Sequence, residues 1–289
     1  AKFKTWKSKF MKALEVINTG TKFLKEKHIP TYILDTELIL SKSLNKSREE
    51  ILINLEQNIN KKSLTDFNEY LIRRSKKEPI AYLFKEKEFW DKKFFVNKDT
   101  LIPRPETELL VEKLVAIFKK KRITIFDIGT GTGCIILSLL SELRNSSGTA
   151  VDISKKAIVV AKINACKFKL SDRIKFLNKP FEVLCNKKFD LIVSNPPYIK
   201  RSDIKNLSED IKMFEPRMAL DGGNDGLDLI KKIIYKSRKI LKINGMLALE
   251  IGNEQIKRVS KILIDNKFRI KYVIKDYRNN VRCVFAEYR

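Results

Sequence analysis

The spacing of apolar residues divides the chain into a helical front and a remainder in which strands and helices alternate. Between residues 6 and 77 apolar side chains recur at helical spacing, as in Tyr32-Ile33-Leu34-Asp35-Thr36-Glu37-Leu38-Ile39-Leu40 and Phe67-Asn68-Glu69-Tyr70-Leu71-Ile72, with Pro30 and polar joints as breaks. That pattern predicts a small helical bundle. From 86 to 102 the period changes: Phe89, Trp90, Phe94, Phe95 and Val96 flank Asp91-Lys92-Lys93, which suits a hairpin. The spacing then predicts a helix over Thr107 to Lys119, a strand at 123, a helix at 134, a strand at 149, a helix at 155, strands at 174 and 189, a helix at 227, a strand at 245 and a helix at 254. Such alternation implies a parallel sheet. Two final apolar runs, Arg269 to Ile274 and Val281 to Tyr288, are close enough to pair antiparallel at its end. The expected organisation is a helical domain over 1-85, a hairpin linker over 86-105 and an α/β domain over 106-289, with no internal repeat.

Two of the predicted strand ends carry candidate chemistry. Phe189-Asp190-Leu191-Ile192-Val193-Ser194 runs into Asn195-Pro196-Pro197-Tyr198, and proline, without a backbone donor, forces the chain out of a central strand. Ligands of open α/β sheets bind at carboxyl ends of this kind. The Asn195 amide and the Pro196 carbonyl together suit a planar nitrogen, although Asn-Pro and Pro-Pro also mark ordinary turns. The second site follows Ile123-Thr124-Ile125-Phe126-Asp127-Ile128, where Gly129-Thr130-Gly131-Thr132-Gly133 leads into the helix opening Cys134-Ile135-Ile136. Glycines there let the backbone approach a ligand, and free amides at a helix start bind polar groups. The spacing matches neither the dinucleotide fingerprint nor a phosphate loop. Asp152 ends the next strand, Thr149-Ala150-Val151-Asp152, where it suits either ribose hydroxyls or a helix cap.

Composition narrows the classes. With 289 residues and 43% hydrophobic content the chain is long enough for one large or two medium globular domains. No apolar run approaches the ~20 residues of a bilayer span and Ala1-Lys2-Phe3-Lys4 opens no signal segment, which predicts a cytoplasmic protein. Cys134, Cys166, Cys185 and Cys283 follow no metal or disulfide spacing, and a single histidine, His28, makes both a zinc site and a Ser-His mechanism poor readings. The formal charge of +25 brings nucleic acid into consideration, yet basic residues are spread over almost every helix. The densest cluster, Lys119-Lys120-Lys121-Arg122, suits a solvated helix end. We assign roughly two-thirds of the basicity to a compositional bias towards Lys, Ile, Asn and Phe, and the rest to proximity to an RNA-rich partner such as a ribosome-bound factor.

Glycine loop, strand-end acid and Asn-Pro-Pro-Tyr, about 20 and then about 40 residues apart, resemble the S-adenosylmethionine-dependent methyltransferases that alkylate planar amide or amino nitrogens. Glu78-Pro79-Ile80-Ala81-Tyr82-Leu83, Glu88-Phe89-Trp90, Leu101-Ile102-Pro103-Arg104-Pro105-Glu106-Thr107-Glu108 and Phe214-Glu215-Pro216-Arg217-Met218-Ala219-Leu220-Asp221-Gly222-Gly223, with Asp225-Gly226-Leu227, look like the signature of the release-factor glutamine methyltransferases, the PrmC/HemK family. The match spans most of residues 78 to 252, with a weaker echo in Asp276-Tyr277 and Arg282. The related ribosomal-protein glutamine methyltransferases share Asn-Pro-Pro-Tyr but typically lack Pro-Arg-Pro-Glu-Thr-Glu. A nucleic-acid adenine-N6 methyltransferase would use the same grip on an exocyclic amine, but no inserted target-reading region stands after Pro103.

The resemblance implies a Rossmann-like class I methyltransferase domain, a mostly parallel seven-stranded sheet with an antiparallel last strand, behind a helical substrate-recognition domain. It implies methylation of the glutamine in the Gly-Gly-Gln loop of peptide chain release factors, in support of translation termination. Gly129, Thr130, Gly131, Thr132 and Gly133 would then surround the methionine part of the cofactor, Asp152 would bind its ribose, and Asp127 would orient the loop or meet the amino group. Asn195 and Pro196 would accept the two amide hydrogens of the substrate, with Asn195 also beside the cofactor, and Pro197 and Tyr198 would pack against the substrate side chain. The chain departs from the family at Asn178-Lys179-Pro180-Phe181, where Lys179 cannot accept from an adenine amine while Pro180 and Phe181 still offer an apolar wall. For Arg104, Glu106 and Glu108 a helix start competes evenly with ligand contact, and Phe214-Glu215-Pro216-Arg217 reads as a structural lid.

Overall fold

A computed structural model describes residues 11–183 and 187–289, so the chain's first residues and Cys185 lie outside the described part. It divides into two compact units, one holding the described residues up to Lys85 with Glu209–Phe214, the other Glu86–Ser208 and Glu215–Arg289.

The first unit is helical. It comprises β1 (Met11–Lys12), α1 (Ala13–Glu26), α2 (Tyr32–Leu44), α3 (Arg48–Ile53), β2 (Asn58–Ile59), α4 (Lys61–Ser75) and α5 (Ile80–Phe84). The two short strands pair antiparallel through Met11 and Ile59. Helix starts follow local chemistry. The Ser47 hydroxyl accepts the Glu50 N–H at 3.1 Å while the Glu50 carboxylate accepts the Ser47 N–H at 2.7 Å. Asn60 accepts the Ser63 N–H at 2.9 Å to open α4. The buried stripes of α1, α2 and α4 make one core that includes Val16, Leu24, Ile39, Leu40, Phe67 and Leu71. Gly20 is needed in the middle of α1, since a Cβ there would stand 2.8 Å from both Phe67 and Thr36. Inside this core Arg74 donates to the Asp35 carboxylate at 2.7 Å and to the Glu78 carbonyl at 3.2 Å, and the Thr31 hydroxyl donates to the same Asp35 oxygen at 2.7 Å.

The second unit opens with a hairpin, β3 (Glu86–Phe89) and β4 (Lys92–Phe95). Its two turn residues, Trp90 and Asp91, both take positive φ, 49° and 55°, as a right-twisted two-residue turn demands. The hairpin is fastened to its own unit: Asn164 accepts the Phe95 N–H at 2.7 Å, returns a donor to the Phe95 carbonyl at 3.0 Å, and donates to the Thr132 carbonyl at 2.9 Å. Then come α6 (Glu108–Phe118), β5 (Thr124–Ile128), α7 (Cys134–Glu142), β6 (Ser147–Asp152), α8 (Lys155–Lys167), β7 (Ile174–Asn178) and β8 (Phe189–Ser194). After a short helix α9 (Glu209–Phe214) that belongs to the first unit, the second unit continues with α10 (Asp228–Ile240), β9 (Leu241–Glu250), α11 (Ile256–Asp265), β10 (Phe268–Lys275) and β11 (Val281–Tyr288).

The strands form one seven-stranded sheet in the order β10-β11-β9-β8-β5-β6-β7. Parallel pairings join β9, β8, β5, β6 and β7, whereas β11 lies antiparallel between β9 and β10. The α/β architecture with an antiparallel last strand, expected from the spacing and the resemblance, is the one observed. Central strands β5 and β8 read as nearly continuous apolar runs because helices cover both faces, and Phe126, Ile192, Leu247 and Leu249 sit in the resulting core with Ile230 and Ile234 of α10.

The buried ion pair of the helical unit generates a prediction. Asp35→Ala leaves the Arg74 guanidinium without its carboxylate, and thermal unfolding should register a loss of about 3–5 kcal/mol, whereas the double variant D35A/R74M should recover much of it.

Candidate active site

The sheet order reverses between β5 and β8: chain continues outward through β6 and β7 on one side and through β9 on the other. Such a switch point leaves a crevice at the carboxyl ends of the two strands. Both motifs found in the sequence leave the sheet there. The strands are in register, Ile125 opposite Leu191 and Asp127 opposite Val193, and the Ser194 hydroxyl donates to the Ile128 carbonyl at 2.7 Å.

The first motif forms a tight loop. Gly129, Gly131 and Gly133 all take positive φ, at 72°, 55° and 80°. The N–H groups of Gly129 and Thr130 both donate to the Val151 carbonyl, at 2.9 and 3.0 Å, which binds the loop to the end of β6. A Cβ at Gly129 or Gly131 would meet nothing within 4 Å, so the backbone there faces open space. Behind the loop Asp127 is buried. One of its oxygens accepts the Thr130 hydroxyl at 2.7 Å, and the other, Oδ1, has no partner. Burial pushes this carboxyl up to about 7, against the Thr130 hydrogen bond and with a small push from Asp152.

Asp152 resolves one of the sequence alternatives. Ser154, not Asp152, caps α8, accepting the Ala157 N–H at 3.2 Å. The Asp152 carboxylate takes one N–H from Gly131 at 3.0 Å and one from Ser154 at 2.9 Å. It is thereby fixed on the cavity wall, its pKa raised by burial against those two backbone donors.

The second motif is supported from below. Asn195 donates through Nδ2 to the Thr107 hydroxyl oxygen at 3.2 Å, and that hydroxyl donates to Glu250 Oε2 at 2.6 Å. The Tyr198 hydroxyl donates to Glu250 Oε1 at 3.1 Å. Gln255 donates to the carbonyls of Tyr198 and Gly226 at 3.0 and 3.1 Å, and its own oxygen accepts the Gly252 N–H at 2.8 Å. Gly222 and Gly226 permit close approach to this turn, because a Cβ on the first would lie 2.8 Å from the Pro197 oxygen and on the second 2.5 Å from the Tyr198 oxygen.

One cavity joins the two motifs. It encloses about 1010 Å³ counting its open mouth, and Gly129, Gly131, Asp152, Ile153, Asn195 and Pro196 stand on its wall. Arg104 also lines it and pairs with the buried Glu215 at 2.5 Å, whose second oxygen accepts the Ile102 N–H at 3.1 Å. The lid reading of Phe214-Glu215-Pro216-Arg217 thus gains a fastening, and Pro216 reaches the wall. Thr130, Thr132 and Pro197 line the same space.

Four expected contacts fall elsewhere, the first at Gly133, which is not on the cavity wall and packs against Leu137 and Ala161 instead. Phe181 is buried in the core beneath the sheet, and Pro180 is exposed off the cavity wall, so neither provides the apolar wall expected of them. The one-turn helix Phe181–Val183 directs Phe181 inward. Ile153, 57% exposed beside Asp152, is the apolar side chain at that point of the wall. Tyr198 is not on the wall either, since its ring packs against the core and its hydroxyl is held by Glu250. Cys134 lines the cavity, but burial pushes its thiol up to about 12, which leaves no thiolate for chemistry.

Comparison with known proteins places this geometry. Residues 15–84 match the family described as PrmC N-terminal domain, and residues 105–215 match the Methyltransferase small domain. A release factor glutamine methyltransferase of Clostridium acetobutylicum is 38% identical over 282 residues, covering 96% of this chain and 98% of the relative. One from Fusobacterium nucleatum subsp. nucleatum is 37% identical over 283 residues, covering 95% of this chain and 78% of that one. The chain belongs to the release factor glutamine methyltransferase family. Its fold is shared with a ribosomal protein L11 methylase from Lactobacillus delbrueckii subsp. bulgaricus, at a TM-score of 0.51 and 18% identity over 67% of this chain and 84% of that one.

Within the family signature, the structure adds residues that spacing alone did not assign. Thr107 and Glu250 stand 88 and 55 positions from Asn195 in the chain, yet both belong to its hydrogen-bond chain. The available signal was a carboxylate, Glu250, closing the apolar strand Met246-Leu247-Ala248-Leu249. Among the described residues no group of three or more His, Cys, Asp or Glu is placed to hold a metal, and no helix is long and apolar enough to cross a membrane.

The Asp127 environment generates a prediction with a defined sign. Its folded pKa lies above the ordinary carboxyl value near 4, so the stability it contributes is full below that value and is lost as pH rises through about 7. Denaturant titrations from pH 4 to 8 should show wild-type stability falling relative to Asp127→Asn over that window; parallel curves would contradict the buried, half-satisfied carboxyl.

Proposed function

We propose that this cytoplasmic protein uses S-adenosylmethionine to methylate the side-chain amide nitrogen, N5, of the glutamine in the Gly-Gly-Gln motif of peptide chain release factors. The observation that carries the reading is Asn195 on the same cavity wall as the glycine loop, in a chain 37% and 38% identical to two release factor glutamine methyltransferases over 95% and 96% of its length.

The residues present fit the cofactor. The open backbone at Gly129 and Gly131 leaves room for its methionine part, and Asp127 behind the loop orients it through the Thr130 hydroxyl. Asp152 retains lone pairs for ribose hydroxyls beyond the two backbone donors it already accepts, and Ile153 offers an apolar surface for the base. When bound, S-adenosylmethionine supplies an electrophilic methyl group on a sulfonium.

The protein's contribution is placement. A carboxamide nitrogen is a poor nucleophile because its lone pair is delocalised into the carbonyl. Asn195 Oδ1 and the Pro196 carbonyl accept its two hydrogens, hold it in line, and stabilise the positive charge that develops on it. No resident base is required, because the nitrogen becomes acidic once it is alkylated and loses a proton afterwards. The helical unit, which matches the PrmC N-terminal domain, serves in recognition of the protein substrate.

Labelled S-adenosylmethionine offered with release factor, ribosomal protein or duplex DNA in separate reactions tests the reading. Label is expected in the release factor glutamine, and label confined to DNA or ribosomal protein would overturn it. Asn195→Ala should lower kcat by about 10²- to 10³-fold while cofactor affinity measured by calorimetry stays within about threefold.

A further inference from the structure

We infer that Thr107 and Glu250 are positioning residues that set which way the Asn195 amide is turned, an inference that rests on the amide-gripping role proposed for Asn195. Asparagine presents an acceptor and a donor of nearly equal shape, and only one orientation leaves an acceptor for a substrate NH₂. The opposite orientation would set two donors against each other.

The orientation follows from the order of proton donation. Glu250 is fully buried at the end of β9, where its Oε2 accepts the Thr107 hydroxyl and its Oε1 the Tyr198 hydroxyl. At 2.6 Å the single Thr107 hydroxyl proton is committed to Glu250 Oε2. The face of Thr107 Oγ1 turned to Asn195 therefore carries only lone pairs. Asn195 must meet it with Nδ2, as it does at 3.2 Å, and Oδ1 is left over for the nitrogen to be methylated. Glu250 thus acts on the Asn195 amide through two hydrogen bonds without touching it. Burial raises the Glu250 pKa and Glu106 adds to the rise, while the Thr107 and Tyr198 hydroxyls and the charge of Arg282, its neighbour across the β9–β11 ladder, oppose it. Thr107 stands inside the Pro105-Glu106-Thr107 turn that starts α6, so the turn has a mechanical task beyond opening a helix.

Near-isosteric variants separate this role from packing. Thr107→Val removes the lone pairs and keeps the volume. Glu250→Gln places an amide donor against Thr107, which frees the hydroxyl proton to meet Asn195 Oδ1 and favours the unproductive orientation. Thr107→Ser keeps the hydroxyl and should rescue. In asparagine-labelled full-length protein the Asn195 side-chain NH₂ resonance should move in T107V and E250Q and remain near its wild-type position in T107S. With release factor as substrate, kcat should fall about tenfold or more in T107V and E250Q with KM little changed, and T107S should recover to within about threefold of wild type. An Asn195 resonance indifferent to both T107V and E250Q overturns the inference whether or not methyl transfer is seen, and E250Q carries the same test should T107V fail to fold. Wild-type protein that leaves the release factor unlabelled would instead sink the substrate assignment while the resonance shifts still decide the positioning.

Discussion

The parallel pairing of β5 with β8 is the constraint from which the site descends, because it brings the glycine loop and the Asn-Pro-Pro-Tyr turn, some 60 residues apart in sequence, out of the sheet side by side. Side chains alternate with a period of two along a strand, so a slip of one residue would turn Asp127 and Val193 to opposite faces and part the two motifs. Polar clamps hold the register at both ends. At the entry, Asp190 accepts the Thr124 N–H and hydroxyl, both at 2.8 Å, and is paired with Lys242 of the neighbouring strand at 2.8 Å. At the exit, Ser194 closes on the Ile128 carbonyl. The apolar middle supplies burial energy and the polar ends supply the alignment.

What the sequence disclosed followed from local chemistry. Proline after an apolar run located the end of β8, glycine spacing located the loop, and period changes separated the helical unit from the α/β unit. Contacts between distant segments stayed hidden for an equally physical reason. Asn164 lies mid-helix, where nothing in its neighbourhood reveals that its amide closes hydrogen bonds to Phe95 and Thr132. Arg104 and Glu215 are 111 residues apart and pair only because the sheet brings their loops together. The Trp90-Asp91 turn carries no glycine or asparagine, the usual sign of two positive φ angles in succession. Tyr198 and Phe181 show the converse error: an aromatic beside a reactive motif invites a ligand contact, yet both rings were needed by the core.

The electrostatic layout reconciles a basic protein with a cationic reactant. A chain with 25 excess positive charges disfavours the approach of any cation, and the proposed cofactor carries a sulfonium and an ammonium. Against that background Asp127 and Glu250 are buried near the crevice and Asp152 is half-buried on its wall, and each has its pKa raised by burial. Keeping carboxylates there costs folding stability, since desolvation favours their neutral forms. Compensation differs from one to the next. Asp152 and Glu250 have each oxygen hydrogen-bonded, whereas Asp127 has one oxygen satisfied and one without a partner. A buried acid left half-satisfied is the arrangement in which a nearby positive group repays a desolvation cost, and Asp127, tied to the glycine loop by the Thr130 hydroxyl, is where such a charge would couple to the ordering of that loop.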